Sequence, residues 1–169
     1  RGFYPSKRAL KVVEEINSLP TKPDFILHCG DVAGDKELHP LEQHYTDTSE
    51  LLSKLDAPIY YVTGNHDDTE KLLKLCISDS PKLLVPEKLF YKVTIDQIDL
   101  IILDTQIFTK RQGSLCREQL QLLSKLLVES DSKKIIALHH PPLQTGCKWI
   151  DETMLLQEKH ILTDLLSDH

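Results

Sequence analysis

Three apolar runs, each stopping abruptly at residues able to bind metal or move protons, constrain this chain more than any other feature. Residues 58–62 are apolar and read as a buried strand; they lead into Tyr61-Val-Thr-Gly-Asn-His-Asp-Asp68. Gly64 breaks the run, Asn65, His66 and Asp67 follow at once, and a helical pattern starts near Asp68-Thr69. Ile26-Leu-His-Cys-Gly-Asp31 is a second strand ending in Gly-Asp, and Ile135-Ile-Ala-Leu-His-His-Pro-Pro142 a third ending in paired histidines. Strand, sharp turn, polar cluster, helix is how α/β proteins present chemistry at the carboxyl ends of their strands. A single such turn reads equally well as a solvated loop with a capping Asp. Three in one chain argue for a shared site.

The remaining pattern alternates helix and strand. Residues 5–17 place Leu10, Val13 and Ile16 on one helical face, with Pro5 near the first turn and Pro20 and Pro23 ending the segment. A polar turn with Gly34 and Asp35 precedes a helix around residues 41–55, and another helix runs over about 68–75. Residues 89–95 and 98–103 flank Asp96-Gln97 as a hairpin. Helices are expected over about 117–128, presenting Leu120, Leu123 and Leu127, and over about 154–166. Alternation of this kind gives an α/β sandwich of mixed sheets with helices outside.

The ordered set Gly30-Asp31, Gly64-Asn-His-Asp67 and His139-His-Pro-Pro142 resembles the calcineurin-like metallophosphoesterase superfamily. Leu143-Gln-Thr-Gly-Cys-Lys-Trp-Ile-Asp151, and Leu103-Asp-Thr-Gln-Ile-Phe108 followed by Gly113-Ser-Leu115, resemble its class III 3′,5′-cyclic nucleotide phosphodiesterases, the CpdA type. The similarity covers essentially the whole chain. It implies one domain of the metallophosphoesterase αββα type. A preceding strand with an Asp-x-His pair and a later Gly-His-x-His turn are expected in the family and absent from these residues, so the domain reads as partial at both ends. If these residues were the whole polypeptide, only Asp31, Asn65 and His139 of the expected ligands would remain. The chain would then bind metal weakly, or serve as a binding scaffold of the same fold.

The resemblance also implies a cofactor of two divalent ions, iron or manganese first and zinc possible, since ions of this type accept mixed oxygen and imidazole ligands. Asp31 is the candidate bridging carboxylate, Asn65 offers a neutral amide oxygen, and His139 supplies an imidazole. His140 then lies behind His139, because neighbours at a strand end point to opposite faces. By resemblance His66 is catalytic, assisting the departing oxygen while reaching no metal. Asp67 either orients His66 or caps the following helix, the cap being expected. Asp104 divides between supporting the site and capping a turn, and Asp35 is expected in a turn. His28 is expected to be packed, and His39, His44, His160 and His169 to lie at the surface. Trp149, on a loop after the histidines, either packs or stacks on a nucleobase. Cys116 and Leu122 stand where relatives tend to have Ser and Trp, departures that touch a helix cap and packing.

The implied function is hydrolysis of 3′,5′-cyclic AMP to 5′-AMP by a metal-activated hydroxide, the alternatives being another small phosphoester or a catalytically impaired scaffold. A net charge of −6 argues against a nucleic-acid polymer as partner, since no basic stripe is present to displace counterions. Bound divalent ions could still reverse the sign locally for a small phosphoester. Cys29, Cys76, Cys116 and Cys147 are scattered, which fits neither a zinc knuckle nor a disulfide framework and suits a reduced cytoplasm. No apolar run approaches the roughly 18 residues of a membrane span, and no signal peptide is visible.

Overall fold

The computed structural model describes residues 5–32, 41–77, 79–107, 110–167 and 169. Its elements are α1 (Pro5–Asn17), β1 (Ile26–His28), α2 (Leu41–Leu52), β2 (Ile59–Tyr61), α3 (Thr69–Leu75), β3 (Tyr91–Ile95), β4 (Ile98–Ile102), α4 (Arg117–Val128), β5 (Lys133–Ala137), α5 (Lys148–Thr153) and α6 (Lys159–Ser167). This is a mixed α/β architecture with two small sheets. Strands β1 and β2 pair in parallel. The second sheet has the order β3-β4-β5, its first pair antiparallel and its second parallel.

The alternation along β4 explains how the layers stack. Side chains one residue apart on a strand face opposite sides, and both sides of β4 are covered. Leu100 and Ile102 enter a cluster with Tyr45 of α2, Tyr61 of β2 and Leu72 of α3. Ile101 and Leu103 enter a second cluster with Leu123 and Leu127 of α4 and Leu162 of α6. All of these side chains are buried.

A phenol joins the two sheets. The Tyr91 hydroxyl donates to the Tyr61 carbonyl at 2.9 Å and accepts from the Tyr61 amide at 3.0 Å. In a parallel ladder these two Tyr61 groups face away from β1, so the hydroxyl satisfies an otherwise open strand edge. Burial pushes the Tyr91 pKa upward and keeps the group a neutral donor and acceptor.

Several sequence expectations need correction. The helix expected around 41–55 ends at Leu52. The last helix, expected over about 154–166, begins only at Lys159 as α6, and the stretch before it, expected as a loop, contains α5. Between them the Leu156 amide donates to Pro141 O at 3.0 Å and the Gln157 amide to Gly113 O at 2.9 Å. Both bonds reach far along the chain and replace the helical ladder, while Leu156 buries its side chain. Trp149 consequently sits in the first turn of α5, not on a loop. Val13 of α1 is buried, but Leu10 is exposed and Ile16 only half-buried, so the apolar face of that helix is partly covered. His44, expected at the surface, is half-buried. Expectations for Gly34, Asp35, His39 and Phe108 fall outside the described residues.

Candidate metal centre

The carboxyl ends of β1, β2 and β5 deliver the three candidate ligands to one place. After β1 the backbone takes two successive left-handed residues, Gly30 at φ 99° and Asp31 at φ 55°. Glycine adopts this conformation freely and Asp is among the few other residues that tolerate it. Space is equally restrictive: a β-carbon on Gly30 would lie 2.7 Å from both Gly64 N and His139 Nδ1. Gly64 is closer still, since a β-carbon there would fall on the Asp31 amide nitrogen and carboxylate. The two glycines let the ends of adjacent strands nearly touch.

Donor atoms converge at this point. His139 Nδ1 lies 2.8 Å from Cys29 O, a group that can only accept, so Nδ1 carries the proton of that bond. In the neutral imidazole the lone pair is then on Nε2, which faces Asn65 Oδ1 at 3.1 Å and Asp31 Oδ1 at 3.7 Å. An imidazole oriented through its other nitrogen by a carbonyl is the usual arrangement of a ligating histidine. A neutral amide oxygen, a carboxylate and an imidazole nitrogen with lone pairs directed at one another suit a divalent cation of the Mn, Fe or Zn type. Among the described residues, no group of three or more His, Cys, Asp and Glu that could hold a metal ion is present. Asp31, Asn65 and His139 could contribute part of one ion's shell.

The turn presenting Asn65 and His66 is held from both sides. The Asp67 amide donates to Gly64 O at 3.3 Å. Asp67 itself is buried, and its Oδ2 accepts from the amides of Gly64 at 2.8 Å and Asp31 at 2.9 Å. Tyr45 completes the arrangement, donating to Asp67 Oδ1 at 3.3 Å and accepting from the Asp68 amide at 2.6 Å. The expectation that Asp67 caps α3 is therefore wrong: Asp68 is the cap, accepting from the Lys71 amide at 3.1 Å. With two adjacent Asp residues either could have served. The buried one was taken by the site and the outer one by the helix. His66 donates its amide to Asp31 Oδ1 at 3.1 Å and leaves its imidazole exposed.

His140 turns away from the donors, as adjacent strand-end residues must. It is fully buried, its Nδ1 lies 2.7 Å from Thr105 Oγ1, and its ring stands edge-on to that of His139. Burial, reinforced by His139 alongside, lowers its pKa to about 4. His140 is therefore neutral in the fold but protonates below about pH 6.5 once the chain unfolds. Stability should be fully present above pH 6.5 and fall as pH drops from there to about 4. Thermal melts across that range check this, and His140→Gln should flatten the profile.

Other expected residues are placed as follows. His28 packs, stacked on Tyr61 with centroids 5.5 Å apart, and burial lowers its pKa. His160 and His169 are exposed. Asp104 is buried and accepts from the amides of Leu89 and Gln106, at 2.9 Å each. Burial raises its pKa. Cys116 stands at the N-terminus of α4 with no side-chain capping bond, as its departure from Ser suggests. Trp149 is 54% exposed, with the Arg111 guanidinium 5.9 Å from its ring centroid, so it does not pack into the core. Sequence reasoning missed Tyr45 and Gln106; nothing local marks the first, and the second entered only as part of a similar stretch. A cavity of about 520 Å³, lined by Leu52, Pro58, Tyr60, Cys76 and Val93 among others, includes none of the candidate ligands.

The sequence profile of the calcineurin-like phosphoesterase family matches residues 3–164, and the chain belongs to that family. It is 29% identical to the probable glycerophosphodiester phosphodiesterase of Arcobacter nitrofigilis, over 96% of this chain and 58% of that protein. It is 28% identical to the 3′,5′-cyclic adenosine monophosphate phosphodiesterase of Escherichia coli K12, over 85% of this chain and 50% of that protein. Identity is also 28% to the cAMP/cGMP dual specificity phosphodiesterase of Mycobacterium tuberculosis, over 79% and 41% of the two. The chain spans about half the length of the curated relatives it matches. Among the described residues, no helix is long and apolar enough to cross a membrane.

Proposed function

We propose that the chain forms one metallophosphoesterase unit of αββα layering, and that the protein hydrolyses a small phosphodiester, 3′,5′-cyclic AMP first, with two divalent metal ions bound. The observation that carries this reading is the convergence of Asp31 Oδ1, Asn65 Oδ1 and His139 Nε2 beside an exposed His66. Bound Mn, Fe or Zn would supply Lewis acidity and an activated water at neutral pH. The chain's own residues do the rest. Asp31, Asn65 and His139 would hold the metal, and His66 would keep a proton for the ester oxygen that leaves phosphorus. His139 is kept in the required tautomer by Cys29 O. Support for a diester comes from the activities for which the E. coli and M. tuberculosis relatives are named and from the likeness of the 146–151 stretch. From within α5, Asp151 accepts from the amides of Thr145 and Gly146 at 2.7 and 3.1 Å and fixes the entry to that helix.

A second reading, a glycerol-linked phosphodiester as substrate, is favoured by the Arcobacter relative, whose alignment covers 96% of this chain. Metal-reconstituted protein assayed on both diesters and on a simple phosphomonoester decides among the readings. Opening of cyclic AMP to 5′-AMP is expected; turnover of the monoester with cyclic AMP untouched overturns the diester assignment. Elemental analysis of the full-length protein should find two ions per chain, and one or none would overturn the two-metal reading; these residues alone should hold fewer.

Trp149 offers a finer test. Its exposed face, backed by Arg111, is suited to stacking on a base. Trp149→Ala should raise KM for the cyclic nucleotide more than for a diester without a base. An equal rise for both would assign Trp149 a structural part.

A further inference from the structure

We infer that Gln106 is a positioning residue that holds the Gly64–Asp67 turn, and with it Asn65 and His66, in the geometry the metal centre needs; this rests on the metal reading above. The Gln106 side-chain amide donates both its hydrogens, to Gly64 O at 2.7 Å and to Asp67 O at 2.6 Å. These carbonyls bracket the turn, one before Asn65 and one after His66. Asp67 grips the same turn from the other side through the Gly64 amide. Between the two grips, the orientation of both candidate residues is fixed by groups that touch neither the ion nor the substrate.

Gln106 can do this because its own backbone is anchored. Its amide donates to Asp104 Oδ1 at 2.9 Å and its carbonyl accepts from Lys88 Nζ at 2.9 Å. Asp104 is tied in turn to α4, where Gln119 Oε1 accepts from the Asp104 amide at 3.1 Å and Gln119 Nε2 donates to the Asp104 carbonyl at 2.9 Å. Gln119 and Asp104 are both buried. A continuous run of hydrogen bonds therefore leads from α4 in the second cluster to the turn after β2 in the first. A long side chain held at its base loses little further freedom when its tip binds, which is what precise placement of a reactive turn requires.

The test exploits side chains of similar length but different hydrogen-bonding capacity. Gln106→Lys keeps donors that can reach both carbonyls, Gln106→Met fills the space without donors, and Gln106→Glu turns acceptors toward the two carbonyl oxygens. Manganese affinity is measured by titration, amide exchange at His66 and Asp67 by NMR, and fold integrity by the thermal midpoint. Met and Glu variants should lose about 10- to 100-fold in manganese affinity and exchange the two amides faster, with the Lys variant close to wild type. Three variants that behave alike in affinity and exchange would show that Gln106 only fills space and would overturn the inference. Wild-type protein that takes up no manganese would instead defeat the metal reading. In that event the exchange rates alone decide whether Gln106 holds the turn.

Discussion

Replacing His66 by alanine should slow turnover of a ribose-linked phosphodiester by roughly 10²–10⁴-fold while leaving metal content unchanged. Its neighbour should behave in the opposite way. Asn65 Oδ1 faces His139 Nε2 at 3.1 Å, so Asn65→Ala removes a donor and should lower metal occupancy, with partial rescue by excess metal. His66 contributes only its amide to Asp31, and its exposed imidazole is free to meet a substrate oxygen. The difference extends to leaving groups. A nitrophenolate departs with little help from a proton, so His66→Ala should cost less on such a substrate than on a ribose oxygen, while Asn65→Ala should slow both alike. Rates on the two substrates, with metal analysis of each variant, make the comparison. Loss of metal in His66→Ala, with no dependence on the leaving group, would show that His66 is a ligand or a structural residue.

Gly64→Ala should damage both the fold and the ion site. The new methyl group would collide with the Asp31 backbone nitrogen and carboxylate, and the former cannot swing aside as a flexible side chain could. Relief requires the ends of β1 and β2 to part, which strains the amides that Asp67 gathers. Overpacking of this kind costs about 1–3 kcal/mol, and in a chain of this length each kcal/mol lowers the melting midpoint by roughly 2–4 °C. Metal affinity should fall as well, because Asp31 is displaced from Asn65 and His139. Differential scanning calorimetry and metal titration measure the two effects. An unchanged midpoint together with unchanged affinity would contradict the close approach of the strand ends.

What could be read in the sequence was what is encoded locally. Helices α1 and α4 follow the apolar period, and β3 and β4 pair around Asp96, whose φ of 50° supplies the turn its residue type permits. The Gly30-Asp31 and Gly64-Asn65 signals mark strand ends because glycine is needed there, and the structure brings Asp31, Asn65 and His139 together. Long-range bonds stayed hidden. The break between α5 and α6 depends on Pro141 and Gly113, far from the residues they hold. The hold of Gln106 on the turn spans about forty positions, and that of Tyr45 on Asp67 about twenty. The choice between Asp67 and Asp68 as helix cap was settled by which carboxylate the strand ends claim, a matter of three dimensions.

The donors are distributed unevenly: Asp31 and Asn65 follow strands of the first sheet, whereas His139 follows a strand of the second. An ion seated among them would be a rivet across a seam, and its association and the closing of the seam would become one equilibrium. Saturating ion should therefore raise the melting midpoint in proportion to RT ln(1 + [L]/Kd). The same linkage runs in reverse. Trimming Leu100 or Ile102, which give nothing to the ion but pack between the sheets, should weaken metal binding. Affinity at this centre would thus be partly stored in the apolar core.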